Sequence, residues 1–279
     1  MITLAPLRIA LIGGGNMARG LLGGLLGGDA DPALITVTAA SEATRAALAR
    51  DYGVAVSADN AAAVRDARVV VLAVKPQLMG EVVRALAPAL RASRPLVISV
   101  AAGIPCDTLT AWIGGDVPVV RAMPNRPALL GAGASGLYAD RNVGSAERAL
   151  AAQVVGATGL ALWVSAERDL DLVTALSGSG PAYFFRLAEL MAEAAVAEGL
   201  DPAVANRLAA QTLAGAGRMV AAETAPDLAA MRAAVSSKGG TTAAALAQLD
   251  ALALPTTVAA AMRAAATRSR ELAEQYGKP

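Results

Sequence analysis

Hydroxyls and bare backbone are concentrated in two glycine-rich segments, Ser177-Gly-Ser-Gly-Pro-Ala-Tyr183 and Ser236-Ser-Lys-Gly-Gly-Thr-Thr242. Both read as helix openings able to hold a small anion. In the first, Pro181 suits an opening turn, where its missing N–H is one the helix does not use, and Gly180 leaves the backbone bare. In the second, Gly239 and Gly240 deliver the chain to Thr241 and Thr242 just before a helical run over 243–252. Free N–H groups and the positive end of the helix dipole then face any carboxylate or phosphate placed there. Ordinary capping explains either segment alone. Two of them downstream of a nucleotide-binding fingerprint favour a substrate pocket.

That fingerprint is Ile12-Gly13-Gly14-Gly15-Asn16-Met17-Ala18, a G-x-G-x-x-A turn. Gly13 permits the tight turn, Gly15 lets a pyrophosphate approach the backbone, and Ala18 keeps the helix close to the sheet. It follows a strand and heads an alternation of β-branched and helical runs, with strands predicted at 7–12, 35–38, 69–74, 96–101, 117–122 and 160–164. Such alternation specifies a parallel sheet with crossover helices. After the second strand the chain reads Val37-Thr-Ala-Ala-Ser41, with no carboxylate to grip an adenosine ribose. Ser41, Thr44 and Arg45 then suit a 2′-phosphate, favouring NADPH. NADH is the alternative, if Glu42 swings back to the ribose or Ser41 only caps the next helix. The other loops at the carboxyl edge are Ala73-Val74-Lys75-Pro76, Ala101-Ala102-Gly103 and Met123-Pro124-Asn125. Lys75 is otherwise a solvated loop residue, and Asn60 either caps its helix or reaches a ribose.

The elements that position these groups divide into an α/β, Rossmann-like domain over 1–165 and an all-α domain over 166–279 for dimerisation and substrate binding. The 279 residues suffice for two cores, and 55% hydrophobic with only 3% aromatic residues means cores of Ala, Val and Leu. Helix 181–198 is apolar except for one stripe of Arg186, Glu189 and Glu193, so it requires burial on most sides. Gly199 closes it and Asp201-Pro202 opens the next helix, whose Gly215 and Gly217 suit close contact with a neighbouring helix, in this subunit or a second one. A net charge of +1 argues against nucleic acid. One cysteine, Cys106, and no histidine exclude an intrachain disulfide and offer no metal-ligand spacing. The N-terminus lacks a signal-peptide layout and no uninterrupted apolar stretch spans a membrane, so a cytoplasmic protein is expected.

The chain resembles the pyrroline-5-carboxylate reductase family over essentially its whole length. The matching segments are Ile12-Gly-Gly-Gly-Asn-Met-Ala18, Ala73-Val-Lys-Pro-Gln77, Val100-Ala-Ala-Gly103, Arg121-Ala-Met-Pro-Asn125, Val173-Thr-Ala-Leu-Ser-Gly-Ser-Gly-Pro-Ala-Tyr183 and Val235-Ser-Ser-Lys-Gly-Gly-Thr-Thr242. Arg126, Lys238 and Ala234 depart from residues common in the family, where Thr, Pro and Asn are usual. The resemblance implies reduction of a cyclic imino acid to proline by an intertwined homodimer, often assembled into a ring of dimers. It implies that the substrate carboxylate lies on the Gly239–Thr242 opening with Ser237 and Glu167 nearby, and that Met123, Pro124 and Asn125 border the nicotinamide. A protonated imine is already electrophilic, so alignment and charge placement are the main demands. Thr242 or Thr241 is expected to polarise the ring nitrogen. Two rivals remain: a β-hydroxyacid dehydrogenase, whose catalytic Lys has only Lys238 as a candidate, and a non-catalytic NADP-binding sensor.

Overall fold

The computed structural model describes Leu4 and residues 6–277, in two compact units: 1–179 with 264–279, and 180–263. The first unit holds an eight-stranded sheet ordered β3-β2-β1-β4-β5-β6-β7-β8. Its strands are β1 (Ile9–Ile12), β2 (Ile35–Thr38), β3 (Ala55–Ser57), β4 (Val69–Leu72), β5 (Leu96–Ser99), β6 (Val119–Met123), β7 (Gly133–Ala139) and β8 (Gly159–Trp163). The first six are mutually parallel in the dinucleotide-binding order.

Two sequence expectations are corrected here. The sheet is not wholly parallel: β7 runs antiparallel to β6, and β8 pairs parallel with β7. The link from Met123 to Gly133 is shorter than the roughly twelve residues a parallel crossover needs. The strand β7 itself was not foreseen, because Gly133 and Gly136 depress its β propensity. Packing requires both. A Cβ at Gly133 would stand 2.9 Å from Ala128 Cβ, and one at Gly136 would stand 2.7 Å from Val173 Cγ2.

Alternate residues of the central strands feed two hydrophobic layers. Ile9 and Leu11 join Leu21, Leu22 and Leu25 of α1 (Asn16–Gly27), Leu48 of α2 (Glu42–Tyr52), and Val154 and Val155 of α6 (Ser145–Gly156). On the opposite face Ala10 and Ile12 join Val64 of α3 (Asn60–Val64), Met79, Val83 and Leu90 of α4 (Pro76–Ser93), and Leu109 and Ile113 of α5 (Cys106–Ile113). Each fully buried Leu, Ile or Val contributes about 1.5–3 kcal/mol, so both layers hold the strand ends in place. After β8 comes α7 (Asp169–Val173), continued by a π-helical segment, Thr174–Gly178.

The second unit is helical: α8 (Gly180–Ala197), α9 (Pro202–Ala221), α10 (Leu228–Ala234), α11 (Thr241–Ala251) and the start of α12 (Leu254–Tyr276). Gly199 ends α8 at φ +99°, and the Asp201 carboxylate accepts from Ala203 N and Val204 N to cap α9 behind Pro202. The burial expected of α8 is not met within one chain. Phe184 is 60% and Leu187 49% exposed, and only Gly180 and Ala192 are buried. Gly215 and Gly217 likewise face open space. Among the described residues, no single helix is long and apolar enough to cross a membrane.

Candidate active site

The turn from β1 into α1 has the geometry its glycines imply. Gly13 sits at φ +108°, its N–H donates to Thr38 O at 3.1 Å, and a Cβ there would stand 2.7 Å from Ala73 O. A Cβ at Gly14 would stand 2.8 Å from Leu48 Cδ1 and 3.0 Å from Thr44 Cγ2, a crowding the fingerprint alone did not explain. Gly15 caps α1 in extended conformation with nothing within 4 Å of a Cβ position. No side chain caps α1 and no acid lies in its first turn. Exposed Asn16 and half-buried Met17 therefore begin a helix whose free N–H groups suit a pyrophosphate.

At the end of β2, Ser41 Oγ accepts from Thr44 N at 3.4 Å and so caps α2. Arg45 Nη1 donates to Ala39 O and Ala40 O, each at 2.7 Å, which fixes the guanidinium beside the strand end with other donors to spare. Glu42 is exposed in the first turn of α2. The capping reading of Asn60 is corrected: Asp59 caps α3 by accepting from Ala62 N at 3.0 Å. An N-cap must be extended, and Asn60 is already the first helical residue.

Two of the remaining edge loops lie against the last helix, which no local signal announced. Ala73 packs on Gly13, while Val74 is half-buried, Lys75 is exposed at the N-cap of α4, and Pro76 takes the first helical position. Next to them, Gln77 Nε2 donates to Tyr276 OH at 3.2 Å. Ala101 and Gly103 are buried and Ala102 is half-buried. Gly103 is at φ +77°, with its Cβ position 3.1 Å from the Leu272 backbone. Thr108 donates to the Gly277 carbonyl, and Ser269 Oγ donates to Asp171 Oδ1 at 2.7 Å. The end of α12 thus braces two loops assigned to the cofactor.

The segment from Ser177 to Tyr183 is not a helix opening. Ser179 has helical φ −87° and ψ −24°, its N–H donates to Thr174 O at 2.8 Å, and Ser177 Oγ donates back to Val173 O at 3.0 Å. The chain runs from α7 through the π-helical segment into α8 without an extended N-cap, so no free N–H tier exists there. The second opening is real. Gly239 is at φ +73°, Gly240 caps α11 in extended conformation, and no side chain caps it. Thr241 and Thr242 are the first two helical residues rather than preceding the helix, both exposed and with hydroxyls unbonded among the described residues. Ser237 O accepts from Gly240 N at 3.0 Å, and Ser237 Oγ would stand 2.5 Å from a Cβ at Gly240.

Glu167 has a different setting from the threonines. Its Oε1 accepts from Arg121 Nη1 and from Cys106 N, both at 2.7 Å, within the first unit. It borders a cavity of about 200 Å³ with Cys106, Thr110, Tyr138 and Asp140. Burial, aided by the Glu167 charge, pushes the Cys106 thiol up, which keeps it neutral. Burial also raises the Asp140 carboxyl.

Residues 167–272 match the family model for pyrroline-5-carboxylate reductase dimerisation, and residues 8–103 match that for NADP oxidoreductase, coenzyme F420-dependent. A pyrroline-5-carboxylate reductase of Pseudomonas aeruginosa is 48% identical over 97% of this chain and 98% of its own. The chain belongs to the pyrroline-5-carboxylate reductase family. Another member, from Vibrio alginolyticus, is 42% identical over 96% of this chain and 98% of its own. Among solved structures, the Coxiella burnetii pyrroline-5-carboxylate reductase superposes with a TM-score of 0.91 at 38% identity, covering 98% of this chain and 99% of the other. The Plasmodium falciparum pyrroline carboxylate reductase, solved with NADP bound, gives a TM-score of 0.80 at 26% identity, covering 97% and 99%. This family member is accordingly an NAD(P)H-using oxidoreductase whose helical region serves homo-oligomerisation. Its turn at Gly13–Gly15, with open space where a Cβ of Gly15 would stand and an uncapped helix start behind it, fits the dinucleotide pyrophosphate.

Proposed function

We propose that the protein reduces L-1-pyrroline-5-carboxylate to L-proline, accepting hydride from NADPH. The carrying observation is the uncapped opening of α11, where the backbone N–H groups of Thr241 and Thr242, just after the N-cap Gly240, have no helical partner and lie beside their own unbonded hydroxyls. The N–H groups hold the substrate carboxylate. The Thr242 hydroxyl polarises the ring nitrogen, with Thr241 second in line, and Ser237 holds the glycine turn closed beneath them. When bound, the cofactor supplies the hydride. On the protein's side, Gly13, Gly14, Gly15, Asn16 and Met17 hold the pyrophosphate through Asn16-side N–H groups, and Ser41 and Arg45 meet the 2′-phosphate. Ile12, Asn60, Ala73, Val74, Lys75, Pro76, Ala101, Ala102 and Gly103 shape the ribose side, and Met123, Pro124 and Asn125 the nicotinamide side. Glu167 acts at a distance, by tying β6 to the start of α7. The reaction belongs in a reducing cytoplasm, in keeping with a lone, buried Cys106. Dimers assembling into a ring are part of this reading.

The test is direct. Purified protein mixed with NADPH and the authentic imine should lose absorbance at the nicotinamide band and form proline in equal amount. NADPH binding without turnover would instead favour a sensor.

A second outcome concerns cofactor choice. Ala39 lies at the strand end, beside the carbonyl that Arg45 holds. Ala39→Asp places a carboxylate where the 2′-phosphate is expected, so kcat/KM should shift toward NADH by roughly tenfold or more. An unchanged NADPH/NADH ratio would place the discrimination elsewhere.

A further inference from the structure

Asn125 stands in a loop assigned to the nicotinamide, yet both ends of its side chain are spent on the protein. It is only 8% exposed. Its Nδ2 donates to Ser177 O at 3.0 Å, and its Oδ1 accepts from Ala134 N at 2.9 Å. Ser177 lies where the π-helical register gives way to the α-helix starting at Gly180, and the α-helical donor for its carbonyl, four residues on, is Pro181, which has no N–H. The π-helical segment containing Ser177 also packs tightly on the same loop, since a Cβ at Gly178 would stand 2.9 Å from Met123 Cε. One buried amide therefore joins three pieces of backbone: the loop after β6, the start of β7 and the π-helical segment.

We propose that Asn125 is a positioning residue whose amide replaces the helical hydrogen bond that Pro181 cannot make, and thereby fixes the Met123-Pro124 backbone against the nicotinamide. This rests on the reading that Met123 and Pro124 border that ring. Hydride transfer tolerates little displacement, since a shift of about 1 Å can cost on the order of 100-fold in rate. Proline at 181 and asparagine at 125 are thus one device, although 56 positions apart. Proline removes the helix's own donor, and the carbonyl it exposes becomes the anchor for the loop.

The experiment is a double-mutant cycle. Asn125→Asp keeps the shape and the acceptor for Ala134 N–H but sets a carboxylate oxygen against Ser177 O. It should lower kcat roughly 10- to 100-fold. The Kd of NADPH, followed by its fluorescence, should stay within about threefold, because the pyrophosphate is held at Gly13–Gly15. In the ligand-free protein, amide exchange should accelerate across residues 174–179. Pro181→Ala returns an N–H to the helix, so adding Asn125→Asp to it should cost less than adding Asn125→Asp to the unaltered protein. If the aspartate variant does not fold, Asn125→Ala takes its place in the same cycle. A kcat within about twofold of wild type, or an equal penalty in both backgrounds, overturns the proposal. Wild-type protein that fails to oxidise NADPH with the imine would overturn the functional reading instead.

Discussion

Replacing Thr242 by Val is expected to lower kcat by about one to two powers of ten while leaving the Michaelis constant for the imine nearly unchanged. The hydroxyl is exposed and unbonded in the protein alone, on the second residue of α11, whereas the carboxylate is assigned to the N–H groups of the same turn. A side chain that polarises the ring nitrogen acts mainly as charge shifts in the transition state, so its loss appears in turnover. One neutral hydrogen bond in a desolvated site is worth roughly 1–3 kcal/mol. Thr242→Ser retains the hydroxyl and should keep most activity. A raised Michaelis constant with unchanged turnover would make Thr242 a binding residue and move the polarising role to Thr241. Equal impairment of the Val and Ser variants would assign the effect to the methyl group.

Phe184→Asp combined with Leu187→Asp is expected to turn the homo-oligomer into monomers and to abolish activity. The two side chains lie on one face of α8, three residues apart, and are 60% and 49% exposed in the single chain. Leaving such a stripe in water is what a monomer avoids. Full burial of such a side chain is worth about 1.5–3 kcal/mol, so covering the exposed half contributes about 1 kcal/mol each. Four side chains across a two-fold interface then supply about 4 kcal/mol, or some three powers of ten in Kd. Burial of the introduced carboxylates adds a further penalty. Sedimentation at assay concentration reads the outcome, and circular dichroism checks that the helices persist. An active monomer at that concentration would remove the oligomer from the catalytic account.

The phosphate-binding turn and the α11 opening were legible because their determinants are local. A positive φ at Gly13 or Gly239, an extended N-cap at Gly15 or Gly240, and an apolar run such as Val69–Leu72 are set by a few neighbouring residues. The same holds for the Asp201-Pro202 start of α9, and for the missing carboxylate after Thr38. Where local rules gave two answers, the chain's neighbours decided. Asn60 had a capping rival one position earlier in Asp59, and Ser177 had the composition of a helix opening but the backbone of a helix interior.

By itself, then, the sequence determined the family, the dinucleotide fold, the helical second half and the two uncapped helix openings at Gly15 and Gly240, since each is written in short-range spacing and backbone conformation. Only the tertiary structure decided what long-range packing controls. It reversed β7 against β6 and made Gly133 and Gly136 obligatory beside Ala128 and Val173. It gave Glu167 to Arg121 and Cys106, braced Gly103 and Gln77 with Leu272 and Tyr276, and set Asn125 under Ser177. Apart from Gly133 with its near neighbour Ala128, a polar group or a crowded backbone here found its partner tens to more than a hundred residues away. Which partner satisfies it depends on where the packed sheet and helices bring the chain together, and no spacing along the sequence encodes that distance.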